Sequence, residues 1–228
     1  MGVALESADA VRAADPARAL RLYVEARDAI DPCDADRVGW LAEHGAREEA
    51  LIPLFRETVR LSGGALRWSA AYALGHLVDL LEEPAEAAPA LAIVVREAHD
   101  VDPVRWLRAC VNLAQCYRLL GRPFECLVLA RRAERRAAAL GEARIRAIAC
   151  LHLTGVLCDL RDTARMTEAL CTGKEALDAA GDVLDPVLAV LFVGYRAQLR
   201  SLEDDLDGAE DDFDALLEGF GGAAGTEA

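Results

Sequence analysis

Four times along this chain an apolar residue is followed by a small one in mid-helix context: Leu74-Gly75, Leu113-Ala114, Leu153-Thr154 and, more weakly, Val193-Gly194. The intervals are 39, 40 and 40 residues. Self-similarity at such a period signals stacked supersecondary units, none of which can bury its apolar face alone. Three positions beyond the first three pairs stands a large apolar residue (Val78, Tyr117, Leu157). A turn follows, and then a small or sulfur-bearing residue opens a second helix (Ala87, Cys126, Met166). Small residues let two helix backbones approach, and the larger ones fill the space between pairs. Trp106 to Leu140 carries the pattern most clearly, as two helices around a turn at Gly121.

The rest of the chain is punctuated in the same way. Residues 3–14 read as a short helix, and Asp15-Pro16 restarts the chain with a cap and a first-turn proline. Ala19, Leu22, Tyr23 and Ala26 then share one helical face, which Asp31-Pro32 ends. Asp34 or Asp36 caps a helix bearing Val38, Trp40 and Leu41 that stops at Gly45, and Pro53 marks a helix start or a kink within 47–61. Helices over 65–81 and 85–98 precede a capped turn from Asp100 to Pro103. Further turns are expected at Gly141, Arg161-Asp162, Gly181-Asp182 and Asp185-Pro186. Asp207 and Glu210 form a capping box for a last helix expected to bury Phe213, Leu216, Leu217 and Phe220. The tail, 221–228, lacks periodicity and is expected to be disordered. The expected fold class is all-α: an α-α superhelix, or solenoid, of about five to six antiparallel helix pairs filling residues 1–220 as one domain.

Composition narrows the function. Hydrophobic residues make up 54% of the 228, dominated by Ala and Leu, which favours helix over sheet. The net charge of −14 argues against a nucleic-acid partner and against an anionic membrane surface, and it suits a partner with a basic patch. No apolar run reaches the length of a membrane span, and the first residues lack the pattern of a signal peptide. The seven cysteines are odd in number and irregularly spaced, which fits a reducing, cytoplasmic setting. Lys174 is the only lysine among many arginines, a bias associated with GC-rich bacterial genomes.

Leu113-Ala114, Tyr117, Gly121, Cys126, Ala130 and Ala133 together resemble the tetratricopeptide repeat (TPR) family, with Cys126 where that family usually has Ala. Ala14-Asp15 with Ala19, Tyr23 and Ala26 forms an earlier unit of the same kind, and Gly45 with Ala50 fits as well. The units here are longer than the family's, like those in helical sensor regions of some bacterial transcription regulators. HEAT-like repeats are the alternative, since Arg67 and Arg105 enter Ala-rich helices. Either family implies an α-hairpin solenoid, and neither specifies function.

The resemblance implies that first helices line a concave groove for a peptide or protein segment. Positions opposite the packing pair are Tyr72, His76 and Asp79 in one unit, and Arg108, Asn112, Gln115 and Arg118 in the next. His152, Tyr195 and Gln198 follow in later units. Asn and Gln can bond peptide amides in both directions, and Arg can fork onto a carboxylate. The blander alternative is an ordinary solvated face, with Asp79 and Arg118 pairing. Trp68 and Trp106, near the starts of first helices, are expected to pack between successive pairs rather than to stack a ligand. The acidic run Glu203, Asp205, Asp207, Gly208 and Asp214 matches an EF-hand loop only loosely, and an acidic turn with a helix cap accounts for it. No His or Cys pair has metal or nucleophile spacing, and no phosphate loop is present, so neither catalysis nor a cofactor is expected. Arg131, Arg132, Arg135 and Arg136 make a stripe expected to be a solvated face. The expected function is that of a non-catalytic adaptor or regulator. The alternatives are an acidic antitoxin or immunity-type mask for a basic partner, or the ligand-sensing region of a transcription regulator.

Overall fold

The computed structural model describes residues 2–45, 47–80, 82–181 and 186–224. Among these residues there are twelve α-helices and no strand. They are α1 (Gly2–Val11), α2 (Pro16–Glu25), α3 (Ala35–His44), α4 (Ile52–Leu61), α5 (Gly64–Leu80) and α6 (Pro84–Glu97). The series continues with α7 (Pro103–Leu119), α8 (Pro123–Leu140), α9 (Ala143–Asp159), α10 (Thr163–Ala180), α11 (Pro186–Leu202) and α12 (Leu206–Ala224). The chain forms two compact units, Met1–Cys116 and Tyr117–Ala228, with the division inside α7.

Turns between the helices of a pair repeat one hydrogen-bonding scheme. In each, the amide after the turn residue donates back five positions: Glu83 to Val78, Arg122 to Tyr117, Asp162 to Leu157 and Asp205 to Arg200, at 3.1, 2.8, 2.9 and 2.9 Å. The turn residue is left-handed in every case, at Glu82, Gly121, Arg161 and Asp204. This is the Schellman ending, which satisfies the last free carbonyls of the first helix. Only one of the four turns uses the glycine that such a backbone favours.

Aspartate caps set the starts. Asp15 accepts from the Arg18 amide, Asp34 from Asp36 and Arg37, Asp102 from Arg105, and Asp162 from Arg165. The last helix departs from expectation, because Asp205, not Asp207, accepts the Gly208 amide, and Asp207 already lies in the first turn. Two early helices are shorter than their periodicity suggests. α1 stops at Val11, and α2 gives way to a 3₁₀ turn at Arg27–Ala29. Pro53 stands in the first turn of α4, where its missing donor costs nothing. The turn expected at Asp182 and Asp185 lies outside the described residues.

In the first unit the core is built on Tyr23, Val38, Leu41, Leu51, Phe55, Leu77, Leu91 and Trp106, all essentially inaccessible to water. The small member of the repeated pair does what its size permits: a Cβ on Gly75 would lie 2.6 Å from Leu91 Cγ, so α5 and α6 meet there. Asp9 on α1 accepts hydrogen bonds from the Tyr23 hydroxyl of α2 and from Arg37 of α3 (Nη2 at 2.6 Å), tying three helices together. In the second unit Ala130, Ala133, Cys126, Cys150, Leu153, Leu157 and Met166 are buried, and Phe192 fills the space left by Gly173. Among the described residues the seven cysteines form no disulfide. Burial pushes the thiols of Cys126 and Cys150 up to about 11 and about 12, so both act as small apolar residues.

The last helix corrects a second expectation. Ala209 and Asp212 are buried there, whereas Phe213 and Leu217 are exposed, and the side chain of Phe220 lies outside the described residues. The apolar period marks a face of α12, but α11 meets a different one. Helix α12 runs to Ala224, and residues 225–228 of the tail lie outside the described residues. No helix among the described residues is long and apolar enough to cross a membrane.

Candidate functional site: two first-helix clusters

Three successive first helices of the first unit, α3, α5 and α7, line an open recess of about 390 Å³. Tyr72 and His76, one turn apart on α5, lie with their rings parallel (3° between planes, centroids 6.4 Å apart). Arg105 stands one helical turn from Arg108 on α7, and both border the recess with Ser69, Glu43 and Asp102. Arg105 is fully engaged. Its Nη1 donates to Ser69 Oγ at 2.7 Å, its guanidinium lies 4.9 Å over the Trp68 ring, and Asp102 and Glu43 approach it at 3.5 and 3.9 Å. Arg108 differs. It is exposed and has no ion-pair partner among the described residues. Burial pushes the Tyr72 phenol above its ordinary range, against the opposing pull of Arg108 and Arg105. Of the other predicted residues on α7, Asn112 is half-buried and Gln115 exposed, and neither borders the recess.

The second unit gathers Arg118, His152, Tyr195 and Gln198, from the end of α7, α9 and α11. Arg118 forks onto Asp159 (2.7 and 3.2 Å) and donates to the Tyr195 hydroxyl at 2.8 Å. The alternative pairing of Arg118 with Asp79 falls on a side chain outside the described residues. Asp159 first, by hydrogen bonding, holds the Arg118 guanidinium even more firmly protonated than usual. Gly155 makes the crossing possible, since a Cβ there would lie 2.6 Å from the Tyr195 hydroxyl and 2.8 Å from Arg118 Nη1. Burial, and secondarily the charge of Arg118, holds His152 neutral by lowering its imidazole to about 4. The Cys158 thiol donates to Gln198 Oε1 at 3.2 Å. In this cluster Arg118, Tyr195 and Gln198 already have partners, whereas Arg108 at the first-unit recess has no ion-pair partner among the described residues.

The structure resembles solved helical-repeat proteins. The crystal structure of BtubC (BKLC) from P. vanneervenii matches with a TM-score of 0.67 and 16% identity over 100% of this chain and 91% of that one. A putative kinesin light chain of Podosopora anserina, with nearly identical TPR-like repeats, matches at 0.60 and 14% over 87% and 99%. A single-substitution form of that kinesin light chain matches equally, over 82% and 95%. The fold is TPR-like. No family model matches the sequence, and no curated protein is significantly similar to it.

Within this TPR-like frame, residue spacing brought out Tyr72, His76 and Arg108 but missed Arg105, Ser69, Gly155 and Asp159. Arg105 carried a signal in its place one turn before Arg108. Asp159 carried none, being 41 residues from its partner. Trp106 is a packing residue, with its indole N–H donating to the Val95 carbonyl at 2.9 Å and His99 edge-on to it. Trp68 is likewise buried, and Trp40 stacks on His44. The acidic run cannot wrap an ion in the EF-hand manner, because Asp207 and Asp214 are both inside α12. Asp205 meanwhile caps that helix. No group of three or more potential metal ligands comes together among the described residues.

Proposed function

We propose that this chain is a non-catalytic interaction module, an adaptor or regulator of the cytoplasm, whose first-helix faces bind a protein or peptide segment by a carboxylate. Arg108 carries the reading. In a chain of net charge −14 it is an exposed guanidinium without a counter-ion among the described residues, lining the same recess as half-buried Tyr72 and the Tyr72–His76 aromatic pair. A guanidinium fork with a neighbouring phenol donor suits a carboxylate, and the parallel rings offer an apolar wall for the residue that bears it. Asn112 and Gln115, further along α7, would then bond the peptide backbone. Arg118, His152, Tyr195 and Gln198 would supply a second, more pre-organised surface.

Fluorescence anisotropy against a library of labelled peptides tests this. Binders are expected to carry an acidic residue or a free C-terminal carboxylate, and Arg108→Ala with Asn112→Ala should weaken them at least about tenfold, the value of a lost charged hydrogen bond. Unchanged affinity with unchanged helicity sinks the reading. The net charge favours a second reading, in which the chain masks a basic surface. Affinity would then fall steeply with salt and ignore Arg108→Ala.

A further inference from the structure

The second unit carries two exposed helix stripes that the binding reading leaves unused. On α8, Phe124 and Val128 are 70% and 69% exposed, and Arg135 falls on the same stripe two turns beyond Val128. On α12, Phe213 and Leu217 are 43% and 70% exposed, with Glu210 on the same stripe one turn before them. Side chains of this size standing singly need no explanation, but two in register on adjacent turns of each helix make continuous apolar patches.

The stripes are complementary in an antiparallel sense. Along α8 the order is apolar then basic, and along α12 it is acidic then apolar. Laid antiparallel, Phe124 meets Leu217 and Val128 meets Phe213, which sets Glu210 of α12 opposite Arg131 and one turn, about 6 Å, from Arg135 at the basic end of α8. Rise per residue matches as well: four positions, about 6 Å, separate both Phe124 from Val128 and Phe213 from Leu217. Glu210 and Arg135 form no ion pair within the chain among the described residues. We infer that α8 of one copy packs antiparallel on α12 of a second copy, and that the reciprocal contact closes a two-fold dimer. A two-fold interface requires this reciprocity, because each copy presents both halves of one self-complementary surface. The choice of a second copy rests on charge: an acidic chain offers few sites for an acidic stripe, and the basic end of α8 is one.

Sedimentation velocity of the full chain from 1 to about 200 μM tests the inference. A concentration-dependent two-copy species is expected. Phe124→Asp and Leu217→Asp, each at an exposed position and so compatible with folding, should weaken it at least about tenfold with helicity unchanged. Arg135→Glu and Glu210→Arg should each weaken it, and the double variant should recover most of the loss. A monomer throughout the range overturns the inference, as does a dimer that survives both aspartate variants.

Discussion

At the scale of single residues, the second-unit cluster depends on an atom that is missing. Gly155 leaves the gap through which Arg118 reaches Tyr195, and an added Cβ would collide with both. Gly155→Ala should therefore break the 2.8 Å bond between them and destabilise the fold by roughly 1–3 kcal/mol, despite the better helix propensity of alanine. Urea denaturation of the two proteins measures this. His152 makes a second prediction. Its imidazole titrates near 4 when folded against an ordinary 6.5, so the unfolded chain takes up a proton first as pH falls. Stability is thus full above about 6.5 and lost progressively down to about 4, by up to about 3 kcal/mol. Melting temperature measured from pH 7 to 4.5 should decline, and His152→Leu should flatten that decline. The aspartates held below their ordinary range by arginines, Asp9 and Asp212, lose their contribution only at lower pH.

At the scale of elements, α12 is held by one buried carboxylate. Asp212 accepts from Arg196 at 2.9 and 2.6 Å, and Arg200 approaches to 3.2 Å. Both arginines are partly solvated, which moderates the loss when the partner goes. Asp212→Ala should cost about 1–3 kcal/mol and raise hydrogen exchange in α12 before the rest of its unit. The intra-pair turns predict a change of opposite sign at equivalent positions. Gly121→Ala forces a Cβ into a left-handed backbone and should destabilise by about 1 kcal/mol, whereas Arg161→Gly relieves that strain and should be neutral or stabilising. Thermal melts of the pair decide it.

At the scale of the whole molecule, sequence reasoning recovers what repeats and little of what is particular. The Asp-Pro and Asp-capped starts are legible because capping is local chemistry: Asp15, Asp34, Asp102 and Asp162 all cap helices. The repeated small residues are legible because helix contact demands them, as at Gly75. Two kinds of information are not in the pattern. Periodicity marks an apolar face without saying what covers it, so Phe213 and Leu217 read as buried and are not. Pairing across 41 residues follows from stacking rather than from spacing, so Arg118 finds Asp159. The same limit separates Arg108 from Arg118, which look alike in sequence and differ in whether the fold already neutralises them. The proposed carboxylate anchor predicts that a bound peptide protects the recess on α5 and α7 from hydrogen exchange at helix termini more than at helix centres, since the latter are already closed.

Three hairpin tips keep one backbone geometry while holding glutamate, arginine and aspartate in place of glycine. At each, the reversal is enforced by the amide that follows and its carbonyl five positions back, with the side chain taking no part in that bond. Such tips are free lettering on a fixed frame. A cysteine for a fluorophore, or a short grafted epitope, placed at Glu82, Arg161 or Asp204 should leave helix content and melting temperature within a few degrees of the parent, so these are the positions from which the protein can be watched or tethered without being altered.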